Sequence, residues 1–311
     1  MAKVAVVGVV GRTNAGKSTL VNALVGEKVS IVSPVEQTTR NTVRGIVADP
    51  RGQLVLLDTP GLHKAVGTLG TLLNRMARRS AAGTDITCVV FDAAQDPQLE
   101  DVGWMQRIAR EKPEKVVFVL NKADKSPFFE TMFRDAWKEA SGTSGSSELE
   151  GLCNKKVDPI WVKSISTTEG GAKPVLDALF DFAEEGEKLF DDDIVTDYPR
   201  KLAMADTIRE KFLARLHQEL PHELGVIVRK INDEGSRWSV EADVLVNRAS
   251  QKPIVIGRAA TVIKNVRKAA ERELKDIFGI KVELELWVKV EPGWMKNQKL
   301  LAEMGYLGEL V

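Results

Sequence analysis

The chain has 311 residues with 44 Lys+Arg against 44 Asp+Glu, 43% hydrophobic and 28% charged. That composition excludes a wholly disordered chain, and the length suits two domains with enough buried surface to need no disulfide or metal staple. The balance is uneven: residues 1–198 carry 24 basic and 28 acidic side chains, residues 199–311 carry 20 and 16, so a mildly basic module follows an acidic one. Cys88 and Cys153 match no metal or disulfide spacing and read as reduced thiols. No apolar run reaches the roughly 18 residues of a spanning helix.

Near-continuous apolar runs at Val4–Val10, Gln53–Leu57, Ile86–Phe91, Lys115–Leu120 and Ile160–Val162 read as strands covered on both faces. Asn41–Val47 alternates and reads as an antiparallel edge strand. Helical patterns follow at Lys17–Val25, Leu69–Ala82, Trp104–Glu111, Phe129–Ala140 and Lys173–Glu187. This βαβ rhythm predicts a doubly wound α/β sheet. Residues 141–151 read as a Gly/Ser loop, and acidic Glu184–Asp197 as a solvated helix end and linker. The predicted bounds are 1–185 for the first domain, 186–198 for the linker and 199–311 for a smaller α+β module.

That second module reads as a helix near 200–219, strands Gly225–Ile231 and Trp238–Val246, and a short run Pro253–Ile256. After Gly257 comes a long helix with Ile263, Val266, Ala270, Leu274 and Ile277 on one face, then a strand Lys281–Val290. Trp238, Trp287 and Trp294 could stack on bases, but packed roles are expected.

The chemistry concentrates at strand ends. Gly11-Arg-Thr-Asn14-Ala15-Gly16-Lys17-Ser18-Thr19 links the first strand to the first helix, a turn whose amides wrap phosphates. Lys17 would reach the β and γ phosphates, with Ser18 as a magnesium ligand. Asp58-Thr-Pro-Gly61 puts a carboxylate near the metal and a glycine amide near the γ-phosphate. Asn121-Lys122-Ala-Asp124 ends a later strand; the Asp124 carboxylate can accept two N–H bonds from guanine, whereas adenine is mismatched there. Ser166 and Thr167, after the last strand, would support the base. The predicted ligand is therefore GTP, not ATP.

These segments, with Gln37-Thr-Thr39-Arg40 and Asp58-Thr-Pro-Gly-Leu62-His63, resemble the G motifs of the Era family. The likeness extends to its C-terminal domain through residues 285–288, Lys289-Val290 and Gly293-Trp294. The resemblance implies a P-loop GTPase fold followed by a type II KH domain. It implies a GTP/GDP switch with Mg²⁺, in which Thr39, or its neighbour Thr38, binds the metal in switch I and Asp58 and Gly61 begin switch II. Lys17, Thr39, Gly61 and Asn14 would serve catalysis, Asn14 by placing K⁺. Leu62 stands where Ras-like proteins carry a water-orienting Gln, implying slow turnover, on the order of 10⁻⁴ to 10⁻³ per second. Arg40 reads as an exposed switch charge, and His63 is not expected to act as a base.

The implied partners are ribosomal RNA, at the 3′ end of the small-subunit rRNA, and the small ribosomal subunit during its assembly, with no DNA. The resemblance also implies a cytoplasmic monomer, with peripheral contact to the inner membrane, or an organellar matrix location where a targeting segment has been removed. The KH loop would be Gly257-Arg258-Ala259-Ala260, with Lys264, Arg267 and Lys268 as further phosphate contacts. Ala260 stands where the family's GxxG loop has its second glycine, so the competing reading is a GTP-dependent protein- or membrane-binding module.

Overall fold

The computed structural model describes residues 2–35, 38–61, 67–81, 83–142, 157–216 and 220–307. Cys153, Gln37, Leu62, His63 and most of the 141–151 loop lie outside the described residues. Contacts divide the chain into two compact units: residues 1–30, 42–65 and 73–197, and residues 31–41, 66–72 and 198–311.

In the first unit, β1 (Ala2–Val10) leads through the phosphate-loop motif to α1 (Lys17–Val25). There follow β2 (Val43–Asp49), β3 (Gly52–Asp58), α2 (Gly67–Ala81), of which residues 73–81 fall in this unit, β4 (Ile86–Asp92) and α3 (Leu99–Glu111). The unit continues with β5 (Val116–Asn121), α4 (Glu130–Ala140), β6 (Ile160–Lys163), α5 (Lys173–Phe182) and β7 (Glu184–Gly186). The sheet order is β2-β3-β1-β4-β5-β6, its neighbours parallel except for β2 on β3, with β7 added antiparallel to β1. The continuous apolar strands are explained by a core on each face: Val7, Val9 and Leu56 pack with residues of α1 and α5, and Phe91, Phe118 and Val89 with Trp104 of α3 and Phe133 of α4.

Two expectations for 173–197 are corrected. The predicted helix stops at Phe182 because Ala183 turns extended (φ −67°, ψ 138°), and Glu184–Gly186 pairs antiparallel with Ala2–Val4. The reason is geometric: β4 pairs with β1 only from Val7 to Val10, so the start of β1 has a free ladder edge that β7 fills. Nor is the acidic stretch simply solvated. The fully buried Gln53 amide donates to the Phe190 carbonyl (2.8 Å) and accepts from the Leu189 and Phe190 amides (2.9 and 3.0 Å). The Ile46 amide donates to the Val195 carbonyl (2.8 Å), so the stretch is strapped along the β2 edge.

In the second unit, α6 (Arg200–Leu213), β8 (Gly225–Asp233), β9 (Arg237–Val246), α7 (Lys252–Ile256), α8 (Thr261–Phe278) and β10 (Lys281–Val290) follow the predicted α-β-β-α-α-β order. A short α9 (Gln298–Glu303), which the periodicity did not announce, follows them. The sheet order is β10-β9-β8, with β10 parallel and β8 antiparallel to β9. Val266, Ala270 and Leu274 of α8 are buried as expected, whereas Ile277 at its last turn is exposed. Trp294 is fully buried and Trp238 nearly so, while Trp287 is 55% exposed.

Candidate functional site

The loop between β1 and α1 owes its shape to residues that tolerate positive φ: Gly11 (147°), Asn14 (60°) and Gly16 (96°). A Cβ on Gly11 would lie 2.3 Å from the Val90 carbonyl oxygen, and one on Gly16 2.3 Å from the Asn121 amide nitrogen. The loop is therefore pressed onto the ends of β4 and β5. Its successive amides precede α1, whose N-terminus adds a positive dipole end. That arrangement can bind a polyphosphate.

Three strand-end motifs meet there. The Asn121 amide donates to the Ala15 carbonyl (3.0 Å) and accepts from the Ser166 hydroxyl (2.8 Å), joining the phosphate loop to the segment after β6. The Lys122 ammonium donates to the Asn14 carbonyl (3.0 Å) and pairs with Asp92 (2.7 Å). Asp124 stands half-open, its side chain 35% exposed beside Lys125, and Thr167 is exposed. The rigid parts of this rim are bonded inward, while the Asp124 carboxylate is left accessible.

At the other end, Lys17 is nearly buried and donates to the Arg12 carbonyl (2.8 Å). Burial lowers its pKa to about 8, with Asp58 opposing the shift. Gly61 is pressed against the loop: a Cβ there would sit 2.7 Å from the Thr13 amide and 2.9 Å from the Lys17 ammonium. Asp58 is fully buried and neither carboxylate oxygen has a hydrogen-bond partner among the described residues. Burial pushes its carboxyl above the usual range, opposed by the nearby Ser18 hydroxyl and Lys17 ammonium. An orphaned buried carboxylate beside a hydroxyl is a donor set that fits a hard divalent cation.

Thr39, the other expected metal ligand, belongs to the second unit. The 31–41 segment packs within the second unit, where the Arg209 guanidinium donates to the Thr38 carbonyl and the Thr38 hydroxyl to the Val35 carbonyl (2.5 Å). The expectation for Arg40 is corrected here. Its side chain is 1% exposed and donates to the carbonyls of Leu224 (2.9 Å), His222 (2.9 Å) and Pro221 (3.4 Å). Buried carbonyls need donors, and a planar guanidinium supplies several at once.

Sequence reasoning missed the loop's own anchor. The Arg12 guanidinium donates to Asp101 (3.1 Å) and Gln95 (3.0 Å) and pairs with Asp92 (3.3 Å).

In the second unit, the Gly257–Ala260 loop joins α7 to α8. Gly257 has φ 77°, and its missing Cβ leaves room for Val262, which a Cβ would approach to 2.5 Å. Ala259 and Ala260 both occupy the left-handed region (φ 49° and 59°). Arg258, Lys264, Arg267 and Lys268 are all exposed. A groove of about 750 Å³ beside α8 and β10 carries Arg267, Arg272, Lys275 and Lys281 along with Glu271 and Glu283. Arg267 is 3.7 Å from Glu271, so part of its charge is already met.

Residues 6–122 match the family described as 50S ribosome-binding GTPase, and residues 219–295 match the KH domain family. GTPase Era of Leuconostoc citreum is 34% identical over 304 residues, covering 96% of this chain and 95% of that protein. GTPase Era of Synechocystis is 35% identical over 302 residues, covering 96% and 91%. A crystal structure of Era in complex with MgGDPNP and nucleotides 1506–1542 of 16S ribosomal RNA has a TM-score of 0.87 at 30% identity, covering 98% of this chain and 99% of that one. A variant of Era from Aquifex aeolicus bound to GDP·AlF₄⁻ has a TM-score of 0.86, also at 30% identity, and covers 98% and 99%. With relatives aligned along almost its whole length, both domains included, the chain belongs to the Era family of GTPases.

Proposed function

We propose that this chain is a GTP-hydrolysing switch that binds small-subunit ribosomal RNA near its 3′ end and assists small-subunit assembly. The observation that carries the nucleotide half is the Asn121 side chain, which bonds both the phosphate loop at Ala15 and the base segment at Ser166, with Asp124 open beside it. The RNA half is supported by the related Era structure with 16S rRNA and by the exposed cations around the Gly257 loop.

In this reading the amides of residues 13–18 and the Lys17 ammonium bind the phosphates, and Asp124 reads guanine. Lys17 exchanges its bond to the Arg12 carbonyl for phosphate oxygens. The Gly61 amide is proposed to face the terminal phosphate, and the tight seat of Gly61 against Thr13 and the Lys17 ammonium leaves no room for a side chain there. Ser18 and Asp58 are the proposed magnesium ligands; an ion held there would neutralise charge on the phosphate oxygens. Asn14, exposed at φ 60° in the loop, is the proposed K⁺ contact, and hydrolysis should then run several-fold faster in KCl than in NaCl. Equal rates would remove that role.

The reading extends to a monomeric, cytoplasmic protein, testable by sedimentation and fractionation. Calorimetry with Mg²⁺ tests its base: GTP and GDP should bind and ATP should not. Absence of heat with GTP from folded protein would overturn the reading.

A further inference from the structure

Arg12 occupies a loop position whose residue type the phosphate-loop motif leaves open, and its side chain turns away from the phosphate cradle. Its guanidinium reaches Asp101 on α3 (3.1 Å), Gln95 (3.0 Å) and Asp92 at the end of β4 (3.3 Å), and is 13% exposed. Its carbonyl holds the Lys17 ammonium (2.8 Å). Asp92 also pairs with Lys122, which in turn bonds the Asn14 carbonyl. One buried carboxylate thus ties the phosphate loop to the base-reading segment, and a second fixes the guanidinium. Asp101 is fully buried, and its remaining oxygen has no partner among the described residues.

We infer that Arg12, clamped by Asp101 and Asp92, is a positioning residue that sets the phosphate loop and the resting place of Lys17 before GTP arrives. The clamp acts through the backbone: turning the guanidinium loose frees residues 12–14, whose amides and carbonyls carry the contacts on both sides. The inference rests on the reading of this loop as a GTP site. A misplacement of about 1 Å at such a loop can cost about a hundredfold in rate.

The clamp also has a pH signature. The charged groups facing Asp101 are Arg12, Asp92 and Lys17, and the Gln98 amide donates to it (3.1 Å). Burial raises its pKa to about 6, opposed by the Gln98 amide and Arg12. Protonation on going below pH 6 removes the charge that holds Arg12. Asp101→Asn keeps the shape and the acceptor for Gln98 while removing that charge permanently.

The test is affinity for a fluorescent GTP analogue with Mg²⁺ from pH 5 to 8, for wild type, D101N, R12K and R12A. GTP's own terminal phosphate titrates in this range, so the quantity read is the ratio of variant to wild-type affinity. At pH 7.5, D101N should bind about tenfold more weakly, and the ratio should approach one at pH 5, where wild type has lost its own carboxylate charge. R12K keeps a charge but cannot reach all three partners, so it should fall between wild type and R12A. A ratio near one at every pH for D101N, or R12A binding as wild type does, would overturn the clamp. Should D101N fail to fold, the R12K and R12A series decides alone. Wild type failing to bind GTP would instead count against the functional reading itself.

Discussion

Asp124 and Ala260 carry the two halves of the functional reading, and each can be tested by one substitution. In the proposed reading the half-open Asp124 carboxylate accepts the two N–H groups of guanine; Asp124→Asn replaces one acceptor with a donor, which suits the extra oxygen of xanthine. GTP affinity should fall at least a hundredfold in competition assays while XTP binding rises. Ala260 keeps the left-handed backbone that a glycine would adopt freely, at a steric cost on the order of 1 kcal/mol. Ala260→Gly should therefore raise the melting temperature of the second domain slightly, and RNA affinity should hold or tighten. A clear loss of RNA binding would mean that the methyl group itself makes a contact. At this scale the positions of the motif residues were legible, since apolar strands end at Asp58 and Asn121 and a glycine-rich turn leads into α1 at Lys17. Arg12–Asp101 and Arg40 were not: their partners lie 89 and more than 180 residues away, and an arginine read alone is taken as solvated.

Among the elements, the buried strands and long helices followed from apolar continuity and 3.6-residue spacing, since burial on both faces leaves a strong pattern in β1, β4 and β5. The three-residue β7, Glu-Glu-Gly, has no intrinsic strand character; it forms because the start of β1 offers an unpaired edge. The strap over β2 was equally hidden, since a glutamine inside an apolar strand gives no clue to its partners. Gln53 satisfies one carbonyl and two amides of residues 189–190. Gln53→Leu preserves the strand's burial but orphans those groups, and should cost about 2–4 kcal/mol in denaturant unfolding of the first domain. Hydrogen exchange at Leu189 and Phe190 should quicken in step. Unchanged protection there would show that the strap is held by its other bonds, such as that of Ile46 to Val195.

For the molecule as a whole, net neutrality conceals a division of labour between an acidic nucleotide unit and a basic one. Binding of a single-stranded rRNA segment through Arg258, Lys264, Arg267 and Lys268 would neutralise about four phosphates, giving a log–log salt slope of about −3. Removing Lys264 and Lys268 together should shallow that slope by about 1.4 without touching GTP affinity; a slope unchanged by the double variant would place the RNA elsewhere. The buried seat of Arg40 has a further consequence, for synthesis. The three carbonyls that receive its guanidinium belong to residues 221, 222 and 224, so they do not exist when the phosphate loop and its sheet leave the ribosome. Until the later residues emerge, the nascent chain carries residues 31–41 without their eventual anchorage, and a fragment ending near residue 198 would retain that immature state permanently.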